Sequence, residues 1–205
     1  MTIVLDFFQT SVQKSSGIGN ETPVSDFKIH GRERKGRTMT LEEAIKTAIQ
    51  YETKIRNVYR AAAQKVSEPA GKGFLETMAH DEQRHLDYLL DRLEHWNKTG
   101  KLTLPKLKTV IPSDKSIARQ MARFKSGLSK KAWGDQKRIL SRALKVEIET
   151  SEFYEKMVNE MAGQSQALFA RFLVIENRHI AAVQMQLDYA TKTGYWFDMK
   201  EFDME

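Results

Sequence analysis

At 205 residues the chain is long enough for one domain with a sizeable core, and its 29% charged content suits helices with exposed faces. It contains no cysteine, which excludes disulfides, thiolate-bound zinc, iron–sulfur clusters and any four-cysteine iron centre within the chain. The net charge of +6 is uneven: residues 101–142 carry 12 Lys and Arg against Asp114 and Asp135, a balance of +10 that leaves −4 elsewhere.

No 18-residue apolar run occurs, so no membrane span is expected. The opening stretch has Asp6 inside its apolar patch and no basic run before it, so it does not read as a secretory signal. A cytoplasmic protein is the default expectation.

Residues 1–37 show no sustained period and read as an N-terminal arm ahead of the main domain. A first helix opens with a capping box, Thr40 with Glu43, followed by an apolar stripe at Leu41, Ile45, Ala48, Ile55, Tyr59 and Ala62. Glu52 lies in the middle of that stripe. A buried carboxylate without a partner costs several kcal/mol, so it demands a metal, a cation or a proton. Residues 67–73, with Pro69, Gly71 and Gly73, are expected to break the helix. A second helix over about 73–98 places Leu75, Met78, Glu82, His85, Leu89 and Trp96 on one face, with Gly100 closing it.

The basic middle, 101–137, with Pro105 and Pro112 and a short helix near 114–126, reads first as a solvated crossover, with docking of an acidic partner or a neighbouring subunit as the alternative. Sparse aromatics and no recognised motif argue against a nucleic-acid surface there. A third helix over about 136–161 carries Leu140, Leu144, Glu147, Ser151 and Tyr154 inward. A fourth, over about 166–192 with Ser165 as its cap, carries Phe169, Phe172, Glu176, His179 and Val183. Residues 196–205 form an aromatic, acidic tail.

The chain repeats itself. Glu82 and Glu176, and His85 and His179, differ by 94 positions, while Glu52 and Glu147, and Tyr59 and Tyr154, differ by 95. The word Glu-x-Arg-His stands at 82–85 and again at 176–179. Residues three apart on a helix lie about 60° and about 4.5 Å from each other, so each word aims a carboxylate and an imidazole at one point. Together with Glu52 and Glu147 the set brings four negative charges, balancing two divalent ions. Oxygen-rich ligation with one nitrogen per metal suits iron, with manganese as the other candidate. Glu82 and His85 are assigned to one end, Glu176 and His179 to the other, and Glu52 and Glu147 as terminal or bridging ligands. Tyr59 and Tyr154 either pack the core or hydrogen-bond to a ligating carboxylate across the bundle. His30, His80 and His95 match nothing in the repeat and read as surface residues.

This set meets the ligand rule of ferritin-like di-metal bundles. Helix pairs with Glu…Tyr and Glu-x-x-His, used twice around a long crossover, resemble the rubrerythrin branch of that superfamily over about residues 40–100 and 138–195. The resemblance implies an all-α, ferritin-like four-helix bundle over 38–195, built from repeated hairpins 40–100 and 138–194. It also implies a non-haem di-iron centre, a homodimer and reaction with peroxide or dioxygen, as in oxidative-stress defence. The chain departs from that family in two respects. It lacks the four-cysteine rubredoxin centre, so electrons would come from an external donor protein. It also has Thr150 where the family places a further ligating Glu.

The leading expectation is therefore a redox enzyme. Ferroxidation with iron storage or delivery, a manganese catalase-like activity and a metal-binding structural module are the alternatives. Hydroxylases of membrane quinones share the ligand set, but the charged exteriors here do not suggest an apolar membrane-facing surface.

Overall fold

The structure, a computed structural model, describes residues 38–113, 115–117, 119 and 134–198. The expectations for 1–37 and for most of the short helix near 114–126 lie outside them, and the chain divides after Arg37. Four long helices make up nearly all of the rest: α1 (Leu41–Ala63), α2 (Pro69–Thr99), α3 (Gly134–Glu160) and α4 (Gly163–Thr193). Among the described residues there is no strand, as the periodicity requires. None of these helices is long and apolar enough to cross a membrane.

Local chemistry sets the helix ends. The capping box of α1 is formed, with Glu43 N donating to Thr40 Oγ1 at 3.2 Å and Thr40 N to a Glu43 oxygen at 2.9 Å. Helix α2 begins four residues earlier than its glycines suggested. Pro69 occupies the first turn, where its missing N–H is not needed, and Glu68 accepts from Gly71 N at 2.7 Å. Gly71 has a packing role as well: a Cβ there would lie 2.4 Å from the Trp196 ring. Gly100 and Gly194 close α2 and α4 in the left-handed conformation. Helix α4 starts at Gly163 behind Ala162, without a side-chain cap, so Ser165 is inside the helix rather than its cap.

Helix α1 packs along α2, α3 along α4, and α1 also meets α3. The apolar core falls into two clusters. One contains Ile45, Leu89, Tyr154, Phe169 and Phe172; the other contains Ile55, Tyr59, Phe74, Met78, Leu140 and Val183. Each helix passes from one cluster to the other, and at the crossing point it carries Glu52, Glu82 with His85, Glu147, or Glu176 with His179. A polar layer is thus sealed between two apolar ones. Each fully buried large apolar side chain contributes roughly 1.5–3 kcal/mol, and that stabilisation holds the costly layer in place.

Two features differ from the sequence expectation. Trp196 and Phe197 are buried rather than part of a tail, and Gln186 clamps the Phe197 backbone, donating to its carbonyl at 2.6 Å and accepting from its N–H at 3.0 Å. The crossover, expected to be solvated, is pinned over 101–113. Leu102 and Ile111 are buried, Tyr88 of α2 donates to Pro105 O at 3.0 Å, and Arg171 of α4 donates to the Leu104 and Pro105 carbonyls at 2.9 Å each. Side chains of both α2 and α4 therefore grip one extended strap.

Candidate metal centre

All six residues read from the repeat, Glu52, Glu82, His85, Glu147, Glu176 and His179, are fully buried. One ligand atom each from Glu82, His85, Glu176 and His179 falls within 4.8 Å of the others. The two imidazoles stack with centroids 5.2 Å apart. Glu82 spans them: Oε2 lies 3.2 Å from His85 Nδ1 and Oε1 lies 2.7 Å from His179 Nδ1. Glu52 Oε2 lies 3.6 Å from His85 Nδ1, and Glu147 Oε1 lies 3.8 Å from His179 Nδ1. Glu176 Oε1 completes the group at 3.8 Å from His85 Nδ1. The arrangement has two ends, one at Glu52 and His85 and one at Glu147 and His179, with Glu82 reaching both.

The tyrosines join the ends crosswise. Tyr59 of α1 donates to Glu147 of α3, and Tyr154 of α3 donates to Glu52 of α1. Of the two roles weighed for them, they take both: each ring is core and each hydroxyl holds a site carboxylate.

One site residue escaped the sequence reading. Asp81, also fully buried, accepts from His179 Nε2 at 2.9 Å. Its carboxylate is further held by Thr109 Oγ1, by Val110 N at 3.3 Å and by Arg84. With Nε2 donating to Asp81, the neutral tautomer of His179 leaves its Nδ1 lone pair facing the cluster, as a metal-binding imidazole requires. The repeat gave no signal for it, since the matching place in the second copy is Ile175, and its partners come from outside its own turn of helix.

Burial disfavours charge on most of the carboxylates of this group. Burial pushes Glu52 up to about 7 and Glu147 up to about 8, each helped by the Glu82 charge. Burial and the neighbouring Glu52 and Glu82 charges hold Glu176 well above the ordinary carboxylate range. Burial opposes ionisation of Glu82 too, but His179 and His85 override it and hold Glu82 low. Burial would lower both imidazoles, yet the neighbouring Glu52 and Glu82 carboxylates lift His85 to about 9, and the Glu82 charge and Asp81 hold His179 well above the ordinary imidazole range.

The fit to a metal rests on buried atoms that have no hydrogen-bond partner: Glu52 Oε2, Glu147 Oε2, both oxygens of Glu176 and His85 Nε2. Buried polar atoms are nearly always satisfied. Buried acceptors left unpaired and facing one another can hold a metal ion. His80 is exposed and His95 half-buried, away from this layer, while His30 lies outside the described residues. Thr150 is buried but donates to Val146 O at 2.9 Å along its own helix.

Fold and site together define an all-helical protein with a buried Glu/His group that can hold a metal ion. Compared with known proteins, the chain matches no family model, no curated protein and no solved structure.

Proposed function

We propose that the chain is a ferritin-like, rubrerythrin-type oxidoreductase that binds two iron ions through Glu52, Glu82, His85, Glu147, Glu176 and His179. In this reading it reduces hydrogen peroxide or dioxygen with electrons from an external donor protein, as a homodimer. The observation that carries it is the set of buried carboxylate and imidazole atoms without hydrogen-bond partners, arranged about two ends. Glu82 would serve both ends of the site, because its two oxygens face different imidazoles, while Glu52 and Glu147 would each serve the one end they face.

Bound iron supplies redox equivalents, and reduction of one peroxide to two waters takes two electrons and two protons. The chain's residues set the conditions for that chemistry. Phe172 lies edge-on to His85 at 5.7 Å and stacks on Tyr154 at 5.0 Å, excluding water on that side. Tyr59 and Tyr154 orient the terminal carboxylates, and Asp81 fixes His179.

Thr150 favours a second reading. With no carboxylate there and its hydroxyl turned to its own helix, the plain four-Glu, two-His set also suits ferroxidation with iron storage or delivery. Elemental analysis of protein purified without chelators should give two iron ions per chain, and stopped-flow mixing of the ferrous protein with peroxide or oxygen should show accelerated oxidation. Absence of that acceleration overturns the enzymatic reading. A cage-sized assembly in sizing chromatography, in place of a dimer, selects storage.

A further inference from the structure

The strap and α4 enclose an open groove of about 590 Å³. Leu104 and Leu107 of the strap and Ile175 of α4 form its apolar floor, and Lys106, Arg171 and Arg178 supply its charge. Among the described residues no carboxylate lines it. Two apolar side chains stand proud beside it, Val110 at 49% and Val174 at 53% exposure. Thr109, also in the lining, donates to the Asp81 carboxylate, which accepts from His179 Nε2 at 2.9 Å. Two hydrogen bonds therefore separate this surface from an imidazole of the buried group.

We propose that this groove is the docking surface for a small acidic electron-donor protein. The inference rests on the redox reading given above and names the partner of that same site. Three features decide the class of occupant. First, the cations stand around an apolar floor, the pattern of a protein interface with a polar rim. Second, Arg171 spends guanidinium hydrogen bonds on the Leu104 and Pro105 carbonyls. It thus offers a fixed positive charge rather than the open fork that would clasp a small anion. Third, the exposed side of α2 has the opposite character, with Asp87, Asp91 and Glu94 around Leu90, so an acidic partner is repelled there and steered to the strap. Each encounter delivers one electron and leaves the donor oxidised by one; two encounters supply the two electrons that one peroxide consumes.

A plant-type [2Fe–2S] ferredoxin, which is strongly acidic, serves as the probe, with a basic cytochrome c as the control. Calorimetric titration of the full-length, iron-loaded protein should detect ferredoxin binding at low salt, weakened about tenfold or more at about 0.15 M salt. Lys106→Glu and Arg178→Glu should each weaken it by about tenfold, while cytochrome c should not bind. Circular dichroism and metal content of both variants should match the parent, which separates lost docking from lost folding. Ferredoxin that does not bind, or binds equally well to the charge-reversed variants, overturns the proposal. So does a concentration-dependent self-association abolished by Arg178→Glu, because the occupant is then a second copy of this chain using the acidic side of α2. Oxidation of the dithionite-reduced protein by peroxide is read in parallel: its loss in the parent sinks the redox reading, whereas failure of docking leaves it intact.

Discussion

Asp81 of α2 accepts a hydrogen bond from Nε2 of His179 of α4 at 2.9 Å, across 98 residues of chain. That contact ties the two copies of the Glu-x-Arg-His word to each other. It is also one-sided, because the second copy has Ile175 at the matching place. His85 Nε2 reaches the same Asp81 oxygen only at 3.8 Å and finds no hydrogen-bond partner. The repeat therefore produces a site whose two ends are built alike but anchored differently.

Asp81→Asn should weaken metal binding at the His179 end by about 10–100-fold, since a neutral amide oxygen is a weaker acceptor for Nε2–H and fixes the tautomer with its Nδ1 lone pair toward the site less firmly than a carboxylate does. Competitive metal titration would show the His179 end weakened while the His85 end keeps the parent's affinity. Affinity within twofold of the parent at both sites would show that Asp81 is only a structural anchor.

Glu176→Gln isolates the metal contribution to stability. Burial and the neighbouring Glu52 and Glu82 charges favour the neutral form of Glu176 in the metal-free protein, and Gln is its neutral isostere, so the metal-free melting temperature should barely move. The gain on adding metal, about 4 kcal/mol for a parent saturated at a thousandfold over its Kd, should be largely lost. Scanning calorimetry with and without metal measures both. Glu82→Ala and Glu176→Ala should likewise cut metal content sharply by elemental analysis.

The metal-free protein should lose stability as pH rises from about 6 to about 9. Glu52 and Glu147 sit at about 7 and about 8, above the ordinary 4.5, and His85 sits at about 9, above 6.5. In that window the folded state holds more protons than the unfolded one, so stability falls with pH, by about 1.4 kcal/mol per unit for each proton of difference. Metal takes the place of those protons, and the slope should flatten in the loaded protein. Thermal melts across the range, with and without chelator, check the sign.

The crossed tyrosines should be energetically separable. Tyr59→Phe removes the donor to Glu147 and Tyr154→Phe the donor to Glu52, each destabilising by about 1–3 kcal/mol. In double-mutant cycles Tyr59→Phe should couple with Glu147→Gln by about 0.5–3 kcal/mol, and its coupling with Glu52→Gln should be smaller. Equal coupling to both carboxylates would mean the hydroxyls serve the layer as a whole.

Gly71→Ala tests how the end of the chain is held. The added methyl would meet the Trp196 ring at 2.4 Å, and overpacking of this kind costs about 1–3 kcal/mol. A matching fall in melting temperature, relieved by Trp196→Leu in the same chain, would establish that Trp196 belongs to the core.

The four helices, the six ligand candidates and the tyrosines were legible in the sequence because each lies on its own helix's apolar stripe. Helical periodicity is a local property, and a charged residue on a buried stripe announces itself. Asp81 was not legible for the same reason. It stands at the edge of the α2 stripe, four positions before His85, where periodicity alone leaves its burial open, and what buries it is His179 from another helix together with Thr109 and Val110 of the strap. The crossover was misread on its charge alone: Lys101, Lys106 and Lys108 are exposed, but Leu102 and Ile111 between and beyond them are buried. The sequence by itself determined which residues share a face, and so which side chains could form a centre. Only the tertiary structure decided that Glu82 reaches both imidazoles, that the tyrosines cross, and that the strap closes over Asp81, because those relations join residues far apart in the chain and depend on how whole helices pack.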